Sequence, residues 1–165
     1  MDEQKLPLEM TNVLTTSHFV YLCTTDLTNQ PHITPMFFVF DEKTNNFYVM
    51  TFSESKKMKN IHNNPKISLT IDIRDAVNPF NNRGVMIQGK ATVHFALDSL
   101  SALNDKTLML VYANFKKKYP VLQKEQSTAG DEYKKFSESL LRITPDRMIY
   151  WRGPKFIRIN FNKQD

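Results

Sequence analysis

The chain has 165 residues, 41% of them hydrophobic and 24% charged, with a net charge of +5 and a pI near 9.3. This is ordinary globular usage, and the length fits one domain with a sizeable core, expected to span 1–165. The mildly basic balance suits an anionic ligand and does not by itself call for nucleic acid, so no nucleic-acid partner is expected.

The first residues, MDEQKLPLEM, hold no apolar signal core, and no run approaches a membrane span. A cytoplasmic protein with no membrane partner is therefore expected. Residues 6–16 read as a lead-in helix and 19–24 (FVYLCT) as a strand. That strand carries the single cysteine, Cys23, expected to be an inert core residue. Residues 32–40 form a second strand, with Ile33, Phe37 and Val39 on one face. DEKTNN at 41–46 makes a hairpin turn, and 47–51 return as a third strand. With four glycines in all, tight turns lean on Asn and Asp, as at 45–46, 63–64 and 81–82.

Thr51, Ser53 and Ser55 then lead into a short basic helix carrying Lys56, Lys57 and Lys59. Hydroxyls and lysines at a helix start are what a phosphate monoester needs, because the helix end offers free N–H groups and positive potential. The flanking strands, rich in Phe, Met, Val and Ile, suit a flat aromatic ring. Phosphate at one end and a planar ring at the other describe flavin mononucleotide (FMN).

Two strictly alternating strands follow. Ile67, Leu69, Ile71 and Ile73 share one face of the first. Val85, Ile87, Gly89, Ala91, Val93 and Phe95 share one face of the second, where Gly89 suggests a barrel-closing bend. A loop at 75–83 joins them. Residues 97–118 read as a helix, with 116–118 (KKK) at its end, and a second short helix is expected near 131–138. Residues 140–151 and 155–161 form a closing hairpin hinged at Arg152, Gly153 and Pro154. The fold class is thus mainly β (α+β), an antiparallel barrel of six or more strands with peripheral helices.

No HxxxH or HxH pair occurs among the four histidines, and no metal site is expected. No nucleophile motif, phosphate-binding glycine loop or dinucleotide fingerprint occurs either. The catalytic residues are unassigned, which suits a cofactor that carries the hard chemistry itself.

The ordered set of motifs resembles a known family. It runs from Pro-His-x-x-Pro at 31–35, through the strand ending in Thr51, to Ser-x-Lys-x-Lys-Asn-Ile-x-x-Asn-Pro at 55–65 and Gly-Val-x-Ile-x-Gly-x-Ala at 84–91. Together they are similar to the flavin-binding split β-barrels related to pyridoxamine 5′-phosphate oxidase. The likeness is good over about 13–95 and weaker over 140–161. It implies a homodimer with flavin sites at the subunit interface, acting as an FMN-dependent oxidoreductase. Hydride would pass between bound FMN and either a small-molecule substrate or a nicotinamide nucleotide.

The resemblance also implies site residues. Lys56 and Lys57 align with phosphate contacts. Thr34, Pro35, Met36 and Phe37 align with the strand along the flavin ring. Met50 aligns with a backbone contact and Thr51 with a phosphate or ribityl contact. Asn60 aligns with a polar ligand contact. Gln88 and Trp151 are implied to approach from the other subunit. The tail after Trp151, RGPKFIRIN, lacks the histidine with which family oxidases hold the substrate phosphate, so vitamin B6 oxidation is not expected. Four alternatives stand beside this reading: a deazaflavin-dependent reductase, a non-catalytic flavin carrier, a haem-binding relative and, from basic charge with strand aromatics, a nucleic-acid-binding barrel.

Overall fold

The computed structural model describes residues 5–94, 106–120 and 139–161. The expected helix start at 97–105, Phe95 and the helix near 131–138 lie outside the described residues. In chain order the elements are α1 (Leu8–Thr16), β1 (Phe19–Thr25), β2 (Pro31–Asp41), β3 (Asn46–Thr51), α2 (Lys56–Asn63), β4 (Lys66–Ile73), β5 (Arg83–His94), α3 (Lys106–Lys118), β6 (Ser139–Arg152) and β7 (Lys155–Asn160). The strands run β3-β2-β1-β4-β5-β6-β7, all antiparallel, and β6 also pairs with β3. Six strands thereby close into a barrel and β7 hangs outside it.

One long strand does both jobs. The first half of β6 lies between β5 and β3, with Phe47 opposite Ile143 and Thr51 opposite Ser139. Its second half lies between β5 and β7. The changeover is a bulge, where Gln88 faces Arg147 but Gly89 faces Pro145, leaving Asp146 over. The bulge presses the β6 backbone onto Gly89, where a Cβ would stand 2.2 Å from the Thr144 carbonyl oxygen. Gly89, where a bend was expected, is where the register shifts, and the extra residue belongs to the opposite strand.

Alternation sorts the faces. Val20, Leu22, Met36, Phe38, Phe40, Phe47, Val49, Leu69, Ile87 and Leu141 fill the barrel. α1 adds Met10, Val13 and Leu14, and α2 adds Met58 and Ile61. α3 covers part of the outside, packing Val111 and Phe115 on Val39, Tyr48, Met50 and Leu140.

Ile33, Phe37 and Val39 share a face as expected, and it is the outer one, with Ile33 62% exposed. Two expectations are corrected. Cys23 is half-buried on the outer face instead of in the core, because Val20, Leu22 and Thr24 take the inward phase of β1. Val93 is exposed because β5 there runs past β4, whose last pair is Lys66 with Lys90.

Where β2 leaves β1 after the pair of Phe19 and Phe37, the backbone of Phe38 needs another partner. Tyr119, just past α3, supplies it. Its hydroxyl accepts from the Phe38 N–H at 3.1 Å and shares its proton between the carbonyls of His18 (2.7 Å) and Phe38 (2.8 Å). Burial pushes this phenol up to about 12. Tyr119→Phe is expected to cost about 2 kcal/mol, since it strands a buried N–H. A urea midpoint matching the native protein's would refute that.

Candidate functional site

At one end of the barrel, β3 finishes at Thr51 and the chain turns into α2. The apolar positions Met58 and Ile61 seat the helix on the core, which turns Lys57 inward with them. Lys57 is 8% exposed, and its Nζ donates to Thr51 Oγ1 at 3.0 Å. Desolvation lowers its pKa below the usual 10.5, with no charged partner contributing. No carboxylate among the described residues pairs with it. A buried cation whose one partner is a neutral hydroxyl is costly unless an anion joins it.

Lys56 is placed differently. Its side chain is 55% exposed and lies 3.8 Å from Asp26 in the turn between β1 and β2. The Thr28 hydroxyl and the Gln30 amide hold the Asp26 carboxyl below its usual range. Of the two lysines implied as phosphate contacts, one is compensated in solvent and the other is buried and uncompensated.

Two more groups lack partners. Ser55 holds the N-cap position of α2 but makes no capping bond, and its buried hydroxyl has no partner among the described residues. Thr34 on β2 likewise has a buried hydroxyl with no partner. Its strand position pairs with Leu22, on the face it shares with Thr24, which α2 touches through Asn60. The first N–H groups of α2 also have no intrahelical acceptor, since the first such bond runs from Lys59 to Ser55. A dianion with several acceptor oxygens suits Lys57, the Ser55 hydroxyl and these amides, which share the start of α2. The residues present therefore fit a phosphate monoester.

The other implied residues divide by face. Met36 points into the core, while Pro35 and Phe37 point outward, and Phe37 packs on Phe19 and Tyr119. The Met50 side chain is buried beneath α3, leaving its backbone as the group available to a ligand. Asn60 is 3% exposed and spends its amide on Thr24. Gln88 and Trp151 lie on the outer face of β5 and β6. Gln88 accepts from Arg147 Nε at 3.0 Å. Trp151 lies against Gly84, where a Cβ would sit 2.6 Å from the indole, with the Arg74 guanidinium 5.8 Å from its ring centre.

The outer face near residues 34–37 is apolar and open. Phe19, Tyr21 and Ile33 are exposed there, and Met86 lies beyond Thr70 of β4 on the same face. Sequence reasoning left Thr24, Asp26 and Ser139 out of the site. Thr24 and Asp26 look like ordinary strand-end and turn residues, and Ser139 meets Thr51 only through barrel closure.

A family model described as pyridoxamine 5′-phosphate oxidase matches residues 6–152. No curated protein matches the chain significantly. Among solved structures, a haem-binding protein from Mycobacterium smegmatis is similar at 13% identity and a TM-score of 0.68, over 94% of this chain and 59% of that one. The haem storage protein HutZ from Vibrio cholerae is similar at 15% identity and a TM-score of 0.61, over 86% of this chain and 91% of that one. A general stress protein 26-related protein of the pyridoxinephosphate oxidase family from Clostridium acetobutylicum is similar at 22% identity and a TM-score of 0.62, over 97% and 96%. At these identities the likeness carries the fold.

Proposed function

Because the chain belongs to the pyridoxamine 5′-phosphate oxidase family, we propose that it is an FMN-dependent oxidoreductase working as a homodimer. The observation that carries this reading is Lys57, a buried ammonium held on Thr51, which, like the buried Ser55 hydroxyl beside it, has no charged partner among the described residues. Lys57 and Ser55 hold the phosphate, with the first amides of α2. Thr34 and the backbone of 34–37 hold the ring. Bound FMN supplies hydride acceptance and donation; the protein binds it, orients it and keeps water away.

The exposed apolar residues Phe19, Tyr21 and Ile33 on the outer face support the dimer reading. Pairing two such faces buries that surface. Gln88 and Trp151 stand on the same outer side of the sheet, and in this reading they serve the partner's flavin. The substrate is a small molecule other than a B6 phosphate, given the altered tail after Trp151.

Titration with FMN and with riboflavin tests the assignment. The phosphate contacts are charge-assisted, so FMN is expected to bind about a hundredfold more tightly. Equal affinities would remove the phosphate site, and binding of neither would remove the flavin. Two of the similar structures are of proteins named for haem binding or storage, so haem is the second reading. A Soret shift with haemin, without FMN binding, would put it first. Tight flavin binding without turnover by any donor would make the protein a carrier.

The reading also fixes a pH dependence. Lys57 meets the phosphate only when protonated, and its pKa in the cofactor-free protein lies below 10.5. The contact is thus complete below that lowered pKa and weakens as pH rises through it, before an ordinary lysine titrates. For the cofactor-free protein the sign is opposite: burying the charged form costs stability, and the cost is relieved over the same rise. FMN affinity measured from pH 7 to 10 should fall, and Lys57→Arg should flatten the fall, because arginine stays charged. A native profile as flat as the arginine variant's would count against Lys57 as the phosphate cation.

A further inference from the structure

Three side chains of α2 and its C-cap, Lys56, Asn60 and Asn64, recur at intervals of four and so share one helical face. They meet Thr24 and Thr25 at the end of β1 and Asp26 just past it. Lys56 lies 3.8 Å from Asp26, Asn60 Nδ2 donates to Thr24 Oγ1 at 3.0 Å, and Asn64 Nδ2 donates to Thr25 Oγ1 at 3.1 Å. Lys57 faces elsewhere, toward Thr51 on β3. The helix is thus tied to β1 along one stripe and reaches β3 through one lysine. The outer ties are partly exposed, whereas the middle one joins Thr24 at 1% and Asn60 at 3% exposure.

We propose that Thr24 and Asn60 are the positioning pair for the cofactor phosphate, fixing α2 so that Lys57 and the helix N-terminus converge on one point. This deepens the FMN reading and rests on it. It gives Asn60 a task besides the ligand contact implied by the family resemblance, because one N–H of its amide is engaged with Thr24 inside the protein. The physical basis is the short range of a charge-assisted contact. A small rotation of an eight-residue helix about its axis moves a lysine at its first turn off a phosphate oxygen, while a ring held by β2 stays in place.

The test uses Thr24→Val, which keeps the side-chain shape but removes the acceptor, and Thr24→Ser, which keeps the acceptor. Thr24→Val is expected to weaken FMN about tenfold and to leave riboflavin within about twofold. Thr24→Ser should match the native protein with both. Amide hydrogen exchange in the cofactor-free Thr24→Val protein should speed up across residues 56–61 relative to β4. If the single variant does not fold, Thr24→Val with Asn60→Leu removes both polar partners, leaves no buried group unpaired, and should show the same phosphate-specific loss.

Equal losses for FMN and riboflavin would make the pair merely structural and overturn the proposal. So would an unchanged FMN affinity in a native protein that prefers FMN. If the native protein binds neither flavin, the cofactor reading falls first and this proposal with it, so the two failures are told apart.

Discussion

Lys57→Met is expected to weaken FMN binding about a hundredfold while raising the melting temperature of the cofactor-free protein by about 3 °C. The two effects share one cause. The ammonium is buried against Thr51 with no carboxylate among the described residues paired to it, and burial already pulls its pKa down. Without a ligand the folded state carries a desolvated charge, and a methionine of similar length fills the same space without that cost. With FMN present the order reverses, because the phosphate repays the desolvation and methionine offers it nothing. Riboflavin, which lacks the phosphate, should bind both proteins alike. Thermal melts with and without each flavin decide the matter, since ligand stabilisation appears directly in the midpoint. A variant that melts lower and still prefers FMN would show that the lysine serves the fold and not the ligand.

Gly89→Ala carries the largest expected loss of stability. The added Cβ would lie 2.2 Å from the Thr144 carbonyl oxygen and 2.9 Å from the Pro145 Cα. Both are backbone atoms of β6, paired there with β5, so neither can swing aside as a side-chain tip would. Relief requires opening the β5–β6 ladder at its bulge, at an expected cost of about 3 kcal/mol or more. Gly153→Ala provides the comparison. That glycine sits at φ +52 in an exposed turn, and its Cβ would meet one carbonyl oxygen at 2.9 Å. About 1–2 kcal/mol is expected there, from a conformation L residues adopt reluctantly. Urea midpoints should rank the two in that order, and the reverse ranking would mean that the bulge yields more easily than the turn.

These two residues also mark what was legible in the sequence. Gly89 is a glycine within a strict alternation, so an irregularity there could be read directly, but the extra residue belongs to β6 and left no local trace. β4 and β5 were readable because polar residues separate their apolar ones and fix the phase. FVYLCT gives no such phase, being apolar almost throughout, and Cys23 was accordingly assigned to the wrong face. Lys56 and Lys57 are chemically alike and adjacent. Only the rotation of α2, set by Met58 and Ile61, separates the buried one from the exposed one. The role of Asn60 was hidden for a different reason. Its partner Thr24 lies 36 residues earlier in the chain, and nothing local announces the bond.

The double duty of β6 has a kinetic consequence. The barrel closes only when Phe47 of β3 meets Ile143, about a hundred residues later in the chain. Loop closure on that scale is slow, so the neighbouring hairpins form long before the ring does. Until then β3 is a free edge that displays Phe47 and Val49, two residues destined for the core. An unclosed chain can satisfy that edge with the edge of another chain as readily as with its own β6. Refolding yield should therefore fall steeply with protein concentration, even under conditions where the finished barrel is stable and dilute refolding is complete.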